Sequence, residues 1–230
     1  MLFSGFPSAM FGTNCYVLAP GPGEQCVVVD PGLEVESELD ALLAEFRLQP
    51  VAVILTHGHL DHTFSVTPVC GAKGIPAYIH PDDRDMLVDP MIGLSHETRS
   101  FFGGRLTWTE PSDVELLSDG KVLSLAGLEI TVDHAPGHTP GSVAFRVPRD
   151  GESEVMVSGD LLFAGSIGRT DLPGGSYPQM LESLARVVLP LPDETVVLPG
   201  HGVATTICRE RATNPFLSDL APASGPHRGL

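Results

Sequence analysis

Within "ILTHGHLDHTF", residues 54 to 64, three histidines and an aspartate occupy six positions directly after a run of apolar β-formers. Imidazole nitrogen and carboxylate oxygen both suit a borderline divalent cation such as zinc. A loop at a strand end can turn His57, His59, Asp61 and His62 inward together, and Gly58 gives that loop backbone freedom. Such a pattern arises by chance on the order of once per thousand shuffled sequences of this composition, which sets aside scattered solvated histidines.

Further ligand types recur in similar settings downstream. His138 lies in "APGHTPGS", Asp160 in "VSGDLLF" and His201 in "VLPGHGVAT", each next to a strand-like run. Polar ligands at the carboxyl ends of several strands are a common way for α/β architectures to build a site. His80 and His134 read as supporting residues rather than ligands, and His96, Phe101, Phe102 and Trp108 as candidate pocket residues.

The elements that must position these side chains are short. Strand-like runs cover Cys15 to Leu18, Cys26 to Asp30, Val51 to Leu55, Ala77 to His80, Leu128 to His134, Ser142 to Val147, Val155 to Ser158 and Thr195 to Leu198. Helical patterns cover "EVESELDALLAEF", with Leu39, Leu42, Leu43 and Phe46 on one face, and "YPQMLESLARVVL" and "ATTICRERA". Strands, helix, strand and motif come twice, which predicts an α/β fold of two sheets with helices outside, a four-layer αββα sandwich. Residues 1–230 read as a single domain, with a candidate lid or insertion at 89–113 and a frayed tail from about 221.

Composition bounds the partners. With 13 basic and 29 acidic residues the formal charge is −16, which opposes the phosphate neutralisation that drives nucleic-acid binding. No stretch is long and apolar enough for a membrane span, and no basic residue precedes Arg47 as a secretory leader would require, so the expected location is cytoplasmic. Cys15, Cys26, Cys70 and Cys208 lack paired spacing and read as buried, reduced thiols.

In this order and spacing, "THGHLDH", "PGHT", "SGD" and "PGHG" resemble the metal motifs of the metallo-beta-lactamase fold over residues 11 to 214, and "VDPG" at 29–32 resembles its early strand end. "GDLLFAGSIGRTDLPGG" and "ERATNPFL" resemble the glyoxalase II branch, the hydroxyacylglutathione hydrolases. The resemblance implies His57, His59 and His138 on one metal, Asp61, His62 and His201 on a second, and Asp160 bridging them. It implies two divalent ions, zinc first with iron or manganese as alternatives, and a bridging hydroxide that Asp61 helps orient. Asp30 would support the metal loop by a hydrogen bond, and Arg169 would hold substrate carboxylate or else pair with Asp171.

The implied reaction is hydrolysis of a small-molecule thioester. Only 29 residues follow His201, fewer than the helical C-terminal domain of larger glyoxalase II enzymes needs, so a short form is expected. Two other enzymes share much of the pattern: a persulfide dioxygenase with one iron held by two histidines and an aspartate, and a lactonase or other hydrolase of the same fold. A non-catalytic or nucleic-acid-binding relative is disfavoured by the full ligand set and the charge. The oligomeric state is open.

Overall fold

The computed structural model describes residues 1–95, 98–100, 108–149, 151–218 and 220. Two six-stranded mixed sheets pack face to face. The first runs in chain order, β1 (Leu2–Pro7), β2 (Asn14–Ala19), β3 (Gln25–Val29), β4 (Gln49–Ile54), β5 (Ala77–Ile79) and β6 (Val114–Leu116). The second is ordered β12 (Thr205–Thr206), β11 (Val196–Pro199), β10 (Glu152–Gly159), β9 (Val143–Arg149), β8 (Leu128–His134) and β7 (Val122–Leu125).

Alternation along the strands sorts their side chains into layers. In β2, Tyr16 and Leu18 enter the core between the sheets while Cys15 and Val17 face outward, and in β10 Val155 and Val157 face inward while Met156 faces outward. Outside the first sheet, α1 (Glu36–Phe46) lays Leu39 and Leu43 against Val17 and Val28. Also in that layer is α3 (Val66–Lys73), which follows the short α2 (Leu60–Thr63). A single turn, α4 (Asp85–Val88), comes after β5. Outside the second sheet, α5 (Tyr177–Ser183), α6 (Ile207–Thr213) and α7 (Pro215–Ser218) bury Met180, Ile207 and Leu217 against Ala144, Met156 and Val197. The four-layer αββα sandwich is therefore observed.

Several boundaries differ from the sequence reading. β1, β6 and β7 lie outside the strand-like runs of the sequence: all three are partly exposed edge strands, and β6 and β7 have only three and four residues. The expected helix at "ATTICRERA" opens with β12, whose Thr206 hydroxyl then accepts the Arg209 N–H to cap α6. Helix α5 ends at Ser183 and passes into a wider π-type turn over Leu184–Val188. Cys208 stands exposed on α6, which corrects the expectation that all four thiols are buried. Within 89–113 a 3₁₀ turn spans Pro90–Gly93, while residues 96, 97 and 101–107, and the tail from 221, lie outside the described residues. No helix among the described residues is long and apolar enough to cross a membrane.

In both sheets the strands that end beside one another run parallel, β3 with β4 and β10 with β11, so their carboxyl ends open on one edge of the sandwich. The two sheets are tied there by the Thr13 to His201 bridge and by Asn14 and Tyr16 side chains donating to the Pro199 carbonyl. Phe145, between the sheets, is the largest fully buried side chain among the described residues. Phe145→Ala should cost about 3–5 kcal/mol in urea unfolding; a loss under about 1 kcal/mol would mean the layers pack independently of it.

Candidate metal centre

The open edge gathers all seven side chains that the sequence motifs single out as ligands. His57 and His59 follow β4, and Asp61 and His62 lie in the first turn of α2. His138 comes from the β8–β9 connection, Asp160 follows β10 and His201 follows β11. The first sheet thus supplies four of the seven and the second supplies three.

These side chains form two sets. His57, His59 and His138 face one another, with His59 Nδ1 2.8 Å from His138 Nε2. Asp61, His62 and His201 form the other, with His201 Nε2 3.2 Å from Asp61 Oδ2 and 3.3 Å from His62 Nε2. Asp160 sits between them, one oxygen 3.4 Å from His62 Nε2 and the other 3.4 Å from His138 Nε2.

Outer contacts fix which ring nitrogen faces inward. The Thr56 hydroxyl donates to Asp30 Oδ2 at 2.6 Å, so at 3.1 Å from His57 Nδ1 it accepts that N–H and leaves Nε2 a lone pair. His62 Nδ1 donates to Asp30 at 3.0 Å, and His138 Nδ1 donates to the Arg169 carbonyl at 2.7 Å. Asp61 accepts from Thr13 Oγ1 at 2.9 Å. Thr13 and Thr56 carry no sequence signal, since a threonine near a motif is common and its partner here is fixed by the fold.

Electrostatics shows what the site lacks without cations. His57 Nε2 and Asp160 Oδ1 are buried with no hydrogen-bond partner, an arrangement that is costly unless a cation satisfies it. Burial, with neighbouring imidazoles, pushes the pKa of His57 well down and that of His59 down to about 3, so both are neutral donors of lone pairs. Burial opposes a charge on His62, but Asp61, Asp160 and Asp30 outweigh it and push its pKa up to about 10. The donor set of imidazole nitrogen and carboxylate oxygen fits two divalent ions.

A further group, His80, Asp82 and His134, is of a different kind. The His80 and His134 rings stack at 4.0 Å and 7°. Lone pairs in two parallel planes do not meet at one ion, so the pair packs the sheet ends together. Arg169 is exposed and forks onto Asp171 with two 2.8 Å bonds, while its carbonyl serves His138. Trp108 packs edge-on against Phe64 beside α2, at a cavity of about 250 Å³ with Met86 and Pro90.

The profile of the metallo-beta-lactamase superfamily matches residues 10–201. The chain belongs to the metallo-beta-lactamase superfamily. An uncharacterized protein of Mycobacterium tuberculosis is 46% identical over 223 residues, 96% of this chain and all of that one. The probable metallo-hydrolase YqgX of Bacillus subtilis is 34% identical over 96% of this chain and all of its own length. Hydroxyacylglutathione hydrolase GloC of Haemophilus influenzae is 32% identical over 92% of this chain and 96% of its own. Among solved structures, the BLEG-1 B3 metallo-beta-lactamase superposes with a TM-score of 0.83 at 39% identity, covering 94% of this chain and 100% of that one. TTHA1623 in a di-iron-bound form does so at 0.75 and 39%, covering 93% and 100%. These relationships place the protein among the metallo-hydrolases, with a His/Asp cluster suited to divalent metal ions.

Gly200 tests the packing of the centre. A Cβ there would lie 2.3 Å from Asp160 Oδ1 and 2.7 Å from His62 Cε1. Gly200→Ala should fold but retain less metal on elemental analysis, and full occupancy would show that Asp160 can move without loss.

Proposed function

We propose that the chain is a dinuclear metal hydrolase that cleaves a thioester of a low-molecular-weight thiol. One observation carries the reading: two complete three-residue sets share a single carboxylate, Asp160, within 3.4 Å of a histidine from each. His57, His59 and His138 would hold one ion and Asp61, His62 and His201 the other, with Asp160 between them. When bound, a pair of divalent cations supplies Lewis acidity toward a carbonyl and lowers the pKa of water toward neutrality.

The chain's own groups shape the rest. His57 and His62 are buried, whereas the side chains of His201 and Asp61 are 30% and 25% exposed, so substrate approaches on that side. Thr13 holds Asp61 at that opening, where the carboxylate can accept a hydrogen bond from water and orient it. A thiolate with a free pKa of about 8.5 leaves without a dedicated acid, which suits a site built of imidazoles and carboxylates. Arg169, whose backbone supports His138, could exchange Asp171 for a carboxylate of the thiol carrier. The likeness to a hydroxyacylglutathione hydrolase over 96% of that protein's length supports the thioester class.

The test is metal content and S-lactoylglutathione hydrolysis on one preparation. Two ions per chain with hydrolysis are expected, and Asp160→Ala should lose activity beyond the ~10–100-fold typical of an outer contact. A single iron with oxygen uptake on glutathione persulfide would overturn the reading in favour of a dioxygenase. Arg169→Ala should raise KM severalfold for an anionic thiol ester with kcat unchanged; equal kinetics would confine Arg169 to its bond with Asp171.

A further inference from the structure

Asp83 lies in the 3₁₀ turn Pro81–Asp83, outside every motif that marks the centre, and its residue is fully buried. Three donors converge on its carboxylate. The Gly58 N–H donates to Oδ2 at 2.8 Å, the Thr139 hydroxyl to Oδ2 at 2.6 Å and the Gly141 N–H to Oδ1 at 2.7 Å. Gly58 is the residue between His57 and His59, and Thr139 and Gly141 follow His138. The carboxylate therefore joins the two chain segments that carry the three-histidine set, and it touches neither Asp61, His62 nor His201 through any of these bonds.

The fit on both sides is close. A Cβ at Gly141 would lie 2.5 Å from Asp83 Cγ, and one at Gly58 would lie 2.9 Å from the Asp83 carbonyl oxygen. The Thr139 hydroxyl is also fixed by the Ser142 hydroxyl at 2.7 Å, so the donor has little freedom to follow a displaced partner. Asp30 does the corresponding work elsewhere, taking Thr56 and His62. A buried carboxylate with three good donors is a rigid tie, and a loss of one acceptor leaves a buried donor unpaired.

We propose that Asp83 is a positioning residue that sets the spacing of His57 and His59 against His138, and so controls affinity for one of the two ions. The inference rests on assigning those three histidines to one ion. It concerns metal affinity measured without substrate, so a failure of the thioester reading leaves it standing, and its own failure leaves that reading untouched.

The experiment compares the wild-type protein with Asp83→Asn, Thr139→Val, Thr139→Ser and, as a surface control, Asp82→Asn. Each is stripped, titrated with zinc against a chromophoric chelator, and followed by NMR of labelled histidine rings. In Asp83→Asn the dissociation constant of the ion reported by His57, His59 and His138 should rise by about 10–100-fold, the range of outer contacts to a metal ligand. The constant reported by His62 and His201 should change far less. Thr139→Val should shift the same ion in the same direction by less, and Thr139→Ser, which keeps the hydroxyl, should restore it. If Asp83→Asn does not fold, the threonine pair decides. Unchanged constants, or both rising in proportion, would overturn the proposal, because a merely structural role does not alter their ratio.

Discussion

The carboxylate of Asp30 holds the seam on which the centre is built. It accepts the Thr56 N–H and hydroxyl and the His62 Nδ1 proton, and through Thr56 it also sets the tautomer of His57. Two imidazoles from two successive turns of chain are thus aimed at the same space with their lone pairs inward. Asp30 reaches this position with a left-handed φ of 48°, a conformation few non-glycine residues adopt, and the three bonds it makes there are the compensation. Without it, His57 and His62 could each rotate to expose the wrong nitrogen.

The centre belongs to neither sheet alone. His57, His59, Asp61 and His62 come from the end of β4, while His138, Asp160 and His201 come from the second sheet. Packing between the sheets therefore decides whether these seven side chains meet, and the apolar layer around Phe145, Ile130 and Val155 sets that packing. At the contact itself glycine is required: Gly159 has φ 49°, and a Cβ there would lie 2.6 Å from the Thr56 side chain. Cations in the centre would bind both halves at once and stabilise the closed sandwich.

Much of the fold and centre was legible in the sequence, for identifiable reasons. Strands such as β2, β3, β10 and β11 carry β-branched or apolar residues on both faces because helices cover them, and these runs stand out. His57, His59, Asp61 and His62 are legible because ligand types crowd into six positions, and His138, Asp160 and His201 because each sits at a strand end or in a Gly/Pro turn. The contacts of Thr13 and Asp83 were not legible: their partners lie 48, 25, 56 and 58 residues away, and only the folded chain brings them together. The edge strands β1, β6 and β7 were missed for a similar reason, since pairing with a neighbour rather than their own pattern makes them strands.

Seven side chains from two sheets are proposed to hold two cations across one carboxylate. Anomalous diffraction from crystals of the metal-loaded protein tests it directly. Two peaks per chain are expected, one among His57, His59 and His138 and the other among Asp61, His62 and His201, with Asp160 contacting both. A single peak, or a second peak away from Asp160, would contradict it.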